Sequence, residues 1–466
     1  MKVALMSLSQ TKPQKFDLIL KNGLVMLPSG LTKIDVGVRN GKIDAIGLES
    51  DAQAESHIDC TGLHILPGVI DTQVHFREPG GEHKETLETG TKAAIAGGVT
   101  AIFEMPNTNP LTITPESLQW KLDKAAASSY CDYAFYLGGT ADYAEQLSAW
   151  ENLPGVCGIK IFMGSSTGSL LTSEDDDIEA VLKNGRRVVA VHAEDEAVMA
   201  KNKASMLDVL SAEELDNVAL HPKWRSTESS ANAVRRVVNL ARKTGRRVHV
   251  LHITCAEEIE ILKQNKDLVT VEVLPNHLSY YAPDCYEALG SKAQQNPPIR
   301  EKHHQDALWR AVNDGTVDIL GSDHAPHTLE EKAKPYPESP SGTPGVQTMV
   351  PTMLNHVNEG RLTLERLVDL LCYGPQRVHQ IAGKGRIAAG YDADFTIVDM
   401  NKSHEITDEE QFSRAGWAPC AGTTVKGWPV YTVIRGQTVM AQGEIIAKAG
   451  FGEVVRFKET MPKTVK

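Results

Sequence analysis

Eight short apolar runs recur along the middle of the chain. They are residues 68–74, 99–103, 133–137, 156–162, 187–191, 248–251, 268–274 and 317–320. Helical patterns lie between several of them. One spans residues 86–96. Another spans residues 229–244, with Ala233, Val234, Val237, Val238, Leu240 and Ala241 on its apolar side, and stops at Gly245, a C-cap residue. Short apolar runs alternating with helices read as repeated strand–helix units. Eight such units in roughly 315 residues predict a (β/α)8 barrel in the α/β class, since these barrels run from ~200 to above 400 residues. An open doubly wound sheet would carry Gly-x-Gly-x-x-Gly after its first strand, and the chain has none there.

The two ends have a different texture. Asp17-Leu18-Ile19-Leu20, Asn22-Gly23, Ile34-Asp35-Val36-Gly37-Val38 and Asn40-Gly41-Lys42-Ile43 read as short strands and hairpin turns. Residues 393–399 and 429–436 alternate in the same style. The expected organisation is therefore a barrel over residues 67–385, with residues 1–66 and 386–466 combining into one small β-sandwich-like domain.

Composition removes several function classes. With 41% hydrophobic and 23% charged residues, the chain is not mostly disordered. A formal charge of −12, with no basic run interleaved with aromatics, is a poor match to nucleic acid. No stretch reaches the ~18 apolar residues of a membrane span. The short apolar stretch in residues 1–7 turns polar at Ser9-Gln10-Thr11-Lys12, too soon for a signal peptide. Seven scattered cysteines without Cys-x-x-Cys suggest reduced thiols and a cytoplasmic protein.

Most of the eight runs end in chemically capable residues. His75 and Arg77 follow the first, and Asn107 the second. Lys160 lies in the fourth, His192 follows the fifth and His252 the sixth. Asn276-His277 closes the seventh, and Asp323-His324 the eighth. Barrel enzymes build their sites at this end of the strands. Taken singly, each residue has an ordinary reading. A histidine can be a hydrogen-bonded structural group. Lys160 can snorkel to solvent, Asp323 can cap a helix, and Arg77 can sit in an ion pair. Convergence on one barrel mouth changes that reading. Three imidazoles and a carboxylate suit zinc, manganese or iron better than calcium or magnesium. Such an ion lowers the pKa of a water toward ~7 and makes hydroxide available. Asp323 is then the candidate proton shuttle.

With these residues in view, the chain resembles the dihydroorotases of the amidohydrolase superfamily along nearly its whole length. The carrying motifs are Asp71-Thr72-Gln73-Val74-His75-Phe76-Arg77-Glu78-Pro79-Gly80, Met105-Pro106-Asn107-Thr108-Asn109-Pro110, Asn296-Pro297-Pro298-Ile299-Arg300 and Asp323-His324-Ala325-Pro326-His327. Residues 385–394 carry a more general amidohydrolase signal.

The resemblance implies reversible, zinc-dependent ring opening of dihydroorotate to N-carbamoyl-L-aspartate in pyrimidine synthesis. It implies that His75, Lys160, His192, His252 and Asp323 hold one or two zinc ions, with Lys160 carbamylated. An unmodified ammonium has no acceptor with which to ligate a metal. The resemblance also implies that Arg77, Asn107, Asn296, His327 and backbone groups near Ser341 and Gly342 hold the substrate. A guanidinium fork suits the substrate carboxylate. The family forms homo-oligomers, and some members assemble with aspartate transcarbamoylase.

One position departs from the pattern. The family's first strand ends His-x-His, and here Gln73 stands in the first place. An amide oxygen is a weak zinc ligand. Three arrangements follow: one tight and one loose metal, a single metal, or a non-catalytic partner of aspartate transcarbamoylase. The other rival is a hydantoinase- or allantoinase-type cyclic amidase, against which Arg77 argues because allantoin has no carboxylate.

Overall fold

The computed structural model describes residues 15–166 and 168–458. The signal-peptide reading of residues 1–7 lies outside them. Each of the eight apolar runs overlaps a barrel strand, here numbered β1 to β8: Val69–Val74, Val99–Glu104, Asp132–Gly138, Val156–Phe162, Val189–His192, Val248–Val250, Val269–Val273 and Ile319–Leu320. They pair in sequence order as one eight-stranded sheet, and the seven pairings between neighbours are all parallel. Closure comes from a parallel bridge between Val74 and His324, with the His75 N–H donating to the His324 carbonyl at 2.7 Å. The predicted helices form Leu87–Ala96, capped by the Thr86 side chain, and Thr227–Thr244, capped by Ser226. The second ends on Gly245 at φ +69°, a left-handed conformation that favours glycine.

Strands from both chain ends share one sheet. Phe395–Glu405 pairs antiparallel with His64–Pro67, setting Phe395 opposite Pro67 and Ile397 opposite Ile65. Leu18, Val25, Val38 and Ile65 pack in one core with Phe395, Ile397 and Val433. A second, four-stranded sheet comes from residues 15–59 alone.

The lower barrel interior is filled. Ile70, Phe103, Tyr136, Cys157 and Leu251 pack against Val455 and Phe457 of the C-terminal tail. The upper end, where the strands terminate, is left for chemistry. All seven cysteines are buried and free. Among the described residues no helix is long and apolar enough to cross a membrane.

One buried ionic cluster ties the barrel to the shared sheet. The Lys384 ammonium lies 2.5 Å from Asp132 at the start of β3, 2.7 Å from Asp394 and 3.2 Å from Asp392. Arg435 also bonds Asp132. Burial opposes the charge on Lys384, but the carboxylates of Asp132, Asp394 and Asp392 outweigh it and raise its pKa. Removing one partner of such a cluster leaves buried charges uncompensated. Lys384→Met is expected to destabilise the fold by about 3–5 kcal/mol, read from the urea midpoint. An unchanged midpoint would remove the cluster from the account of stability.

Candidate active site

The mouth of the barrel holds a small, partly enclosed cavity. Gln73, His75, Arg77, Asn107, His192, His252, Asn296, Asp323, Ser341 and Gly342 all line it. Lys160 and His327 stand behind that lining. Phe162, Ser166 and Ala325 complete it without having been singled out in the sequence.

Backbone geometry aims several of these groups. Of the eight non-glycine residues with positive φ among the described residues, three are Arg77 at 62°, His252 at 38° and Asp323 at 44°. Each follows a barrel strand. Such residues are uncommon in this region of φ, and they concentrate where the surrounding structure forces an unusual side-chain direction. Gly342 meets a different demand. Its φ is +137°, and a Cβ there would sit 2.3 Å from the Ala325 carbonyl oxygen.

Two pairs of atoms of kinds that can ligate a metal lie close together. His75 Nδ1 lies 2.7 Å from Asn107 Oδ1, and its Nε2 lies 3.2 Å from Asp323 Oδ1. His192 Nε2 lies 2.9 Å from Glu194 Oε2, and its Nδ1 lies 3.1 Å from His252 Nε2. Burial is the main cause that lowers the pKa of His75 and His192. It lowers that of His252 further, helped by His192 and Lys160. All three imidazoles are therefore neutral near pH 7, the form that binds metals.

Lys160 does not reach solvent, which excludes the snorkelling reading. The residue is 0% exposed, and its ammonium has no hydrogen-bond partner among the described residues. It lies 4.3 Å from the centre of the Phe162 ring. Burial pushes its pKa down to about 7, partly offset by Asp323 and Glu272. Its charge also acts on His75, His192 and His252, which places it among both pairs.

These atoms fit a metal. A tetrahedral ion with bonds of ~2.0–2.1 Å holds its ligands roughly 3.3 Å apart, close to the 3.1 and 3.2 Å separations of the two pairs. Lys160 Nζ, His252 Nδ1 and Gln73 Oε1 are buried without hydrogen-bond partners among the described residues. Gln73 Nε2 donates to Asp323 Oδ1 at 3.1 Å. Among the described residues, however, no three His, Cys, Asp or Glu side chains are grouped to hold an ion.

The supports of His192 were missed in the sequence. Arg225 clamps Glu194 through Nε at 3.1 and 3.0 Å and through Nη2 at 2.5 Å. Burial opposes the charge on Glu194, but Arg225 and His192 keep it well below the usual carboxylate range. Such outer partners fix the tautomer and orientation of a ligating imidazole. The available signal was the spacing His192-x-Glu194, which puts both side chains on one side of an extended strand end.

On the opposite side of the cavity the Arg77 Nε–H donates to the Pro326 carbonyl at 3.2 Å. Burial pushes the guanidinium pKa down to about 10, so it remains charged at neutral pH. His327 Nδ1 accepts from Lys84 at 3.0 Å, and the Nε2–H donates to the Ser341 carbonyl at 3.0 Å. Both ring nitrogens are therefore engaged within the protein, and His327 shapes the loop beside Arg77. The Gly342 N–H is likewise engaged, donating to the Gln294 carbonyl at 2.9 Å. His324 also serves the fold, accepting from the Gly345 N–H at 3.0 Å and donating to Glu85 at 3.0 Å.

The comparisons agree with this architecture. The amidohydrolase family profile matches residues 64–439, and that of the urease alpha-subunit N-terminal domain matches residues 3–65. A dihydroorotase from Methanosarcina mazei is 33% identical, over 96% of this chain and 99% of its own. One from Pyrococcus abyssi is 35% identical, over 90% of this chain and 94% of its own. Among solved structures, the L-hydantoinase (dihydropyrimidinase) of Arthrobacter aurescens superposes with a TM-score of 0.90. It is 29% identical and covers 94% of this chain and 99% of its own. With a family profile over most of its length and relatives of this identity along nearly all of it, the chain belongs to the amidohydrolase family, among its dihydroorotases.

Proposed function

We propose that the protein catalyses the reversible hydrolysis of dihydroorotate to N-carbamoyl-L-aspartate as a cytoplasmic enzyme of pyrimidine synthesis. The observation that carries this reading is the buried, charged Arg77 lining the same cavity as His75, His192, His252 and Asp323. A guanidinium there matches a cyclic amide that bears a carboxylate. The hydantoinase fold likeness does not favour a neutral ring, because the same scaffold supports both substrates and only the site separates them.

His75, His192, His252, Asp323 and a carbamylated Lys160 would hold zinc, with Gln73 at most a weak further ligand. Bound zinc supplies Lewis acidity and acidifies a water toward neutral pH. Arg77 binds the carboxylate and fixes the ring in the cavity. Asp323 takes a proton from the attacking water and returns it to the ring nitrogen as the amide bond breaks. Microscopic reversibility gives Asp323 the opposite transfers in ring closure. The reading as a non-catalytic partner of aspartate transcarbamoylase lacks a comparable observation, since Gln73 is the one departure in the predicted ligand set.

Substrate choice tests the proposal. Wild-type protein is expected to favour dihydroorotate over dihydrouracil, the same ring without the carboxylate. Arg77→Met should lower kcat/KM for dihydroorotate by about 10- to 100-fold, the loss of a charge-assisted pair, mostly through KM. Dihydrouracil should be little affected. An unchanged KM for dihydroorotate would reject the assignment of Arg77.

A further inference from the structure

His221 takes no part in the chemistry above, yet it touches a residue that lines the cavity. Its ring is 1% exposed at the start of the short helix His221–Trp224. Nε2 lies 3.1 Å from the Gln295 carbonyl oxygen and 2.9 Å from Asn296 Oδ1. Nδ1 lies 3.3 Å from the Tyr336 hydroxyl.

The tautomer follows from the fixed partner. A backbone carbonyl can only accept, so Nε2 must carry hydrogen. Burial, reinforced by Arg225, pushes the His221 pKa down to about 3, so the ring is neutral and Nδ1 accepts from Tyr336. The Asn296 atom beside the Nε2–H must then be its oxygen, because an NH2 there would set two donors against each other. This settles the amide orientation from the network. The Asn296 Nδ2 group has no hydrogen-bond partner among the described residues, although the residue lines the cavity.

We infer that His221 is a positioning residue that makes Asn296 a one-way donor, so this side of the cavity reads a carbonyl oxygen on the substrate ring and rejects a ring N–H turned toward it. The inference rests on the proposed cyclic-amide substrate. Such a ring carries a ureido carbonyl besides the carbonyl under attack, and that second oxygen is the group Asn296 would hold.

Three variants test it, with folding checked by thermal unfolding. Asn296→Asp keeps the shape and the acceptor for His221 but replaces the inward NH2 by oxygen. KM should rise by about 100-fold or more. His221→Phe frees the amide to rotate and should raise KM by about tenfold, with kcat within about threefold. His221→Gln again offers an N–H donor and should recover most of that loss. An Asn296→Asp KM equal to wild type would overturn the inference, as would equal effects of Phe and Gln at His221. If the Phe variant does not fold, Asn296→Asp decides.

The substrate reading fails separately. Wild type that leaves dihydroorotate intact but opens hydantoin or dihydrouracil would reject that reading, and the same variants are then assayed on the accepted ring. An activity-independent check is the 15N spectrum of histidine-labelled holoenzyme, with the His221 signals assigned by their loss in His221→Gln. A neutral Nε2–H tautomer from pH 5 to 9 is expected. An Nδ1–H tautomer or a protonated ring at pH 7 would overturn the inference even without a turned-over substrate.

Discussion

Asp323→Asn is expected to lower kcat by about 10²- to 10⁴-fold, the range for loss of a positioned acid–base group. Substrate affinity should stay within a few-fold of wild type. The side chain stands at the cavity between Gln73 Nε2 and His75 Nε2, at 3.1 and 3.2 Å. Its backbone is held at φ 44°, a conformation that fixes where the carboxylate points. Asparagine keeps the shape and one acceptor but cannot carry the proton. Steady-state kinetics with matched metal content gives the answer. A variant that turns over at near wild-type rate would remove Asp323 from the proton path.

Lys160→Met is expected to abolish measurable turnover and to reduce zinc per chain, without making the metal-free protein less stable. The two effects have one cause. The Lys160 ammonium is buried without a hydrogen-bond partner among the described residues, and burial holds its pKa near 7. A charge in that place is unfavourable, so an apolar side chain of similar length relieves the fold while deleting the donor.

The pH dependence has a definite sign. The folded pKa lies below the unfolded value of 10.5, so the unfolded chain binds more protons between about pH 7 and 10.5. Stability of metal-free wild type should rise with pH across that window, and the variant should lose that increment. Amine available to take up CO2 also increases through pH 7, so metal loading should improve in the same direction. Wild-type zinc content and activity in Lys160→Met would reject the role of Lys160. A fall in metal-free stability at pH 7 would reject the electrostatic argument for it.

Much of the barrel was legible because barrel strands are covered on both faces and therefore read as continuous apolar runs. Val156–Phe162 shows this, with all seven positions buried. The helix limits were legible where capping chemistry is local, as at Thr86 and Gly245. The polar residues after the strands were conspicuous against those runs, which is why His75, His192, His252 and Asp323 could be picked out together.

What escaped depends on contacts distant in sequence. The tail residues Val455 and Phe457 fill the barrel base through neighbours more than two hundred residues away, such as Leu251 and Phe103. Closure through His324 depends on Val74 lying beside it. Arg225 reaches Glu194, and His221 reaches Asn296, from the short helix His221–Trp224 and its C-cap, 31 and 75 residues away in sequence. The assignment of Lys160 to solvent or interior could not come from its flanking residues, since Gly158-Ile159-Lys160-Ile161-Phe162 permits either. Likewise, the contacts of the two His327 ring nitrogens with Lys84 and Ser341 could not be read from the residues flanking it.

The most direct measurement is the product formed when zinc-loaded protein is incubated with dihydroorotate, with Asp323→Asn as the blank. The account predicts N-carbamoyl-L-aspartate, formed at a rate that disappears in the variant. Folded, zinc-loaded wild type that leaves dihydroorotate intact while opening hydantoin or allantoin would contradict it.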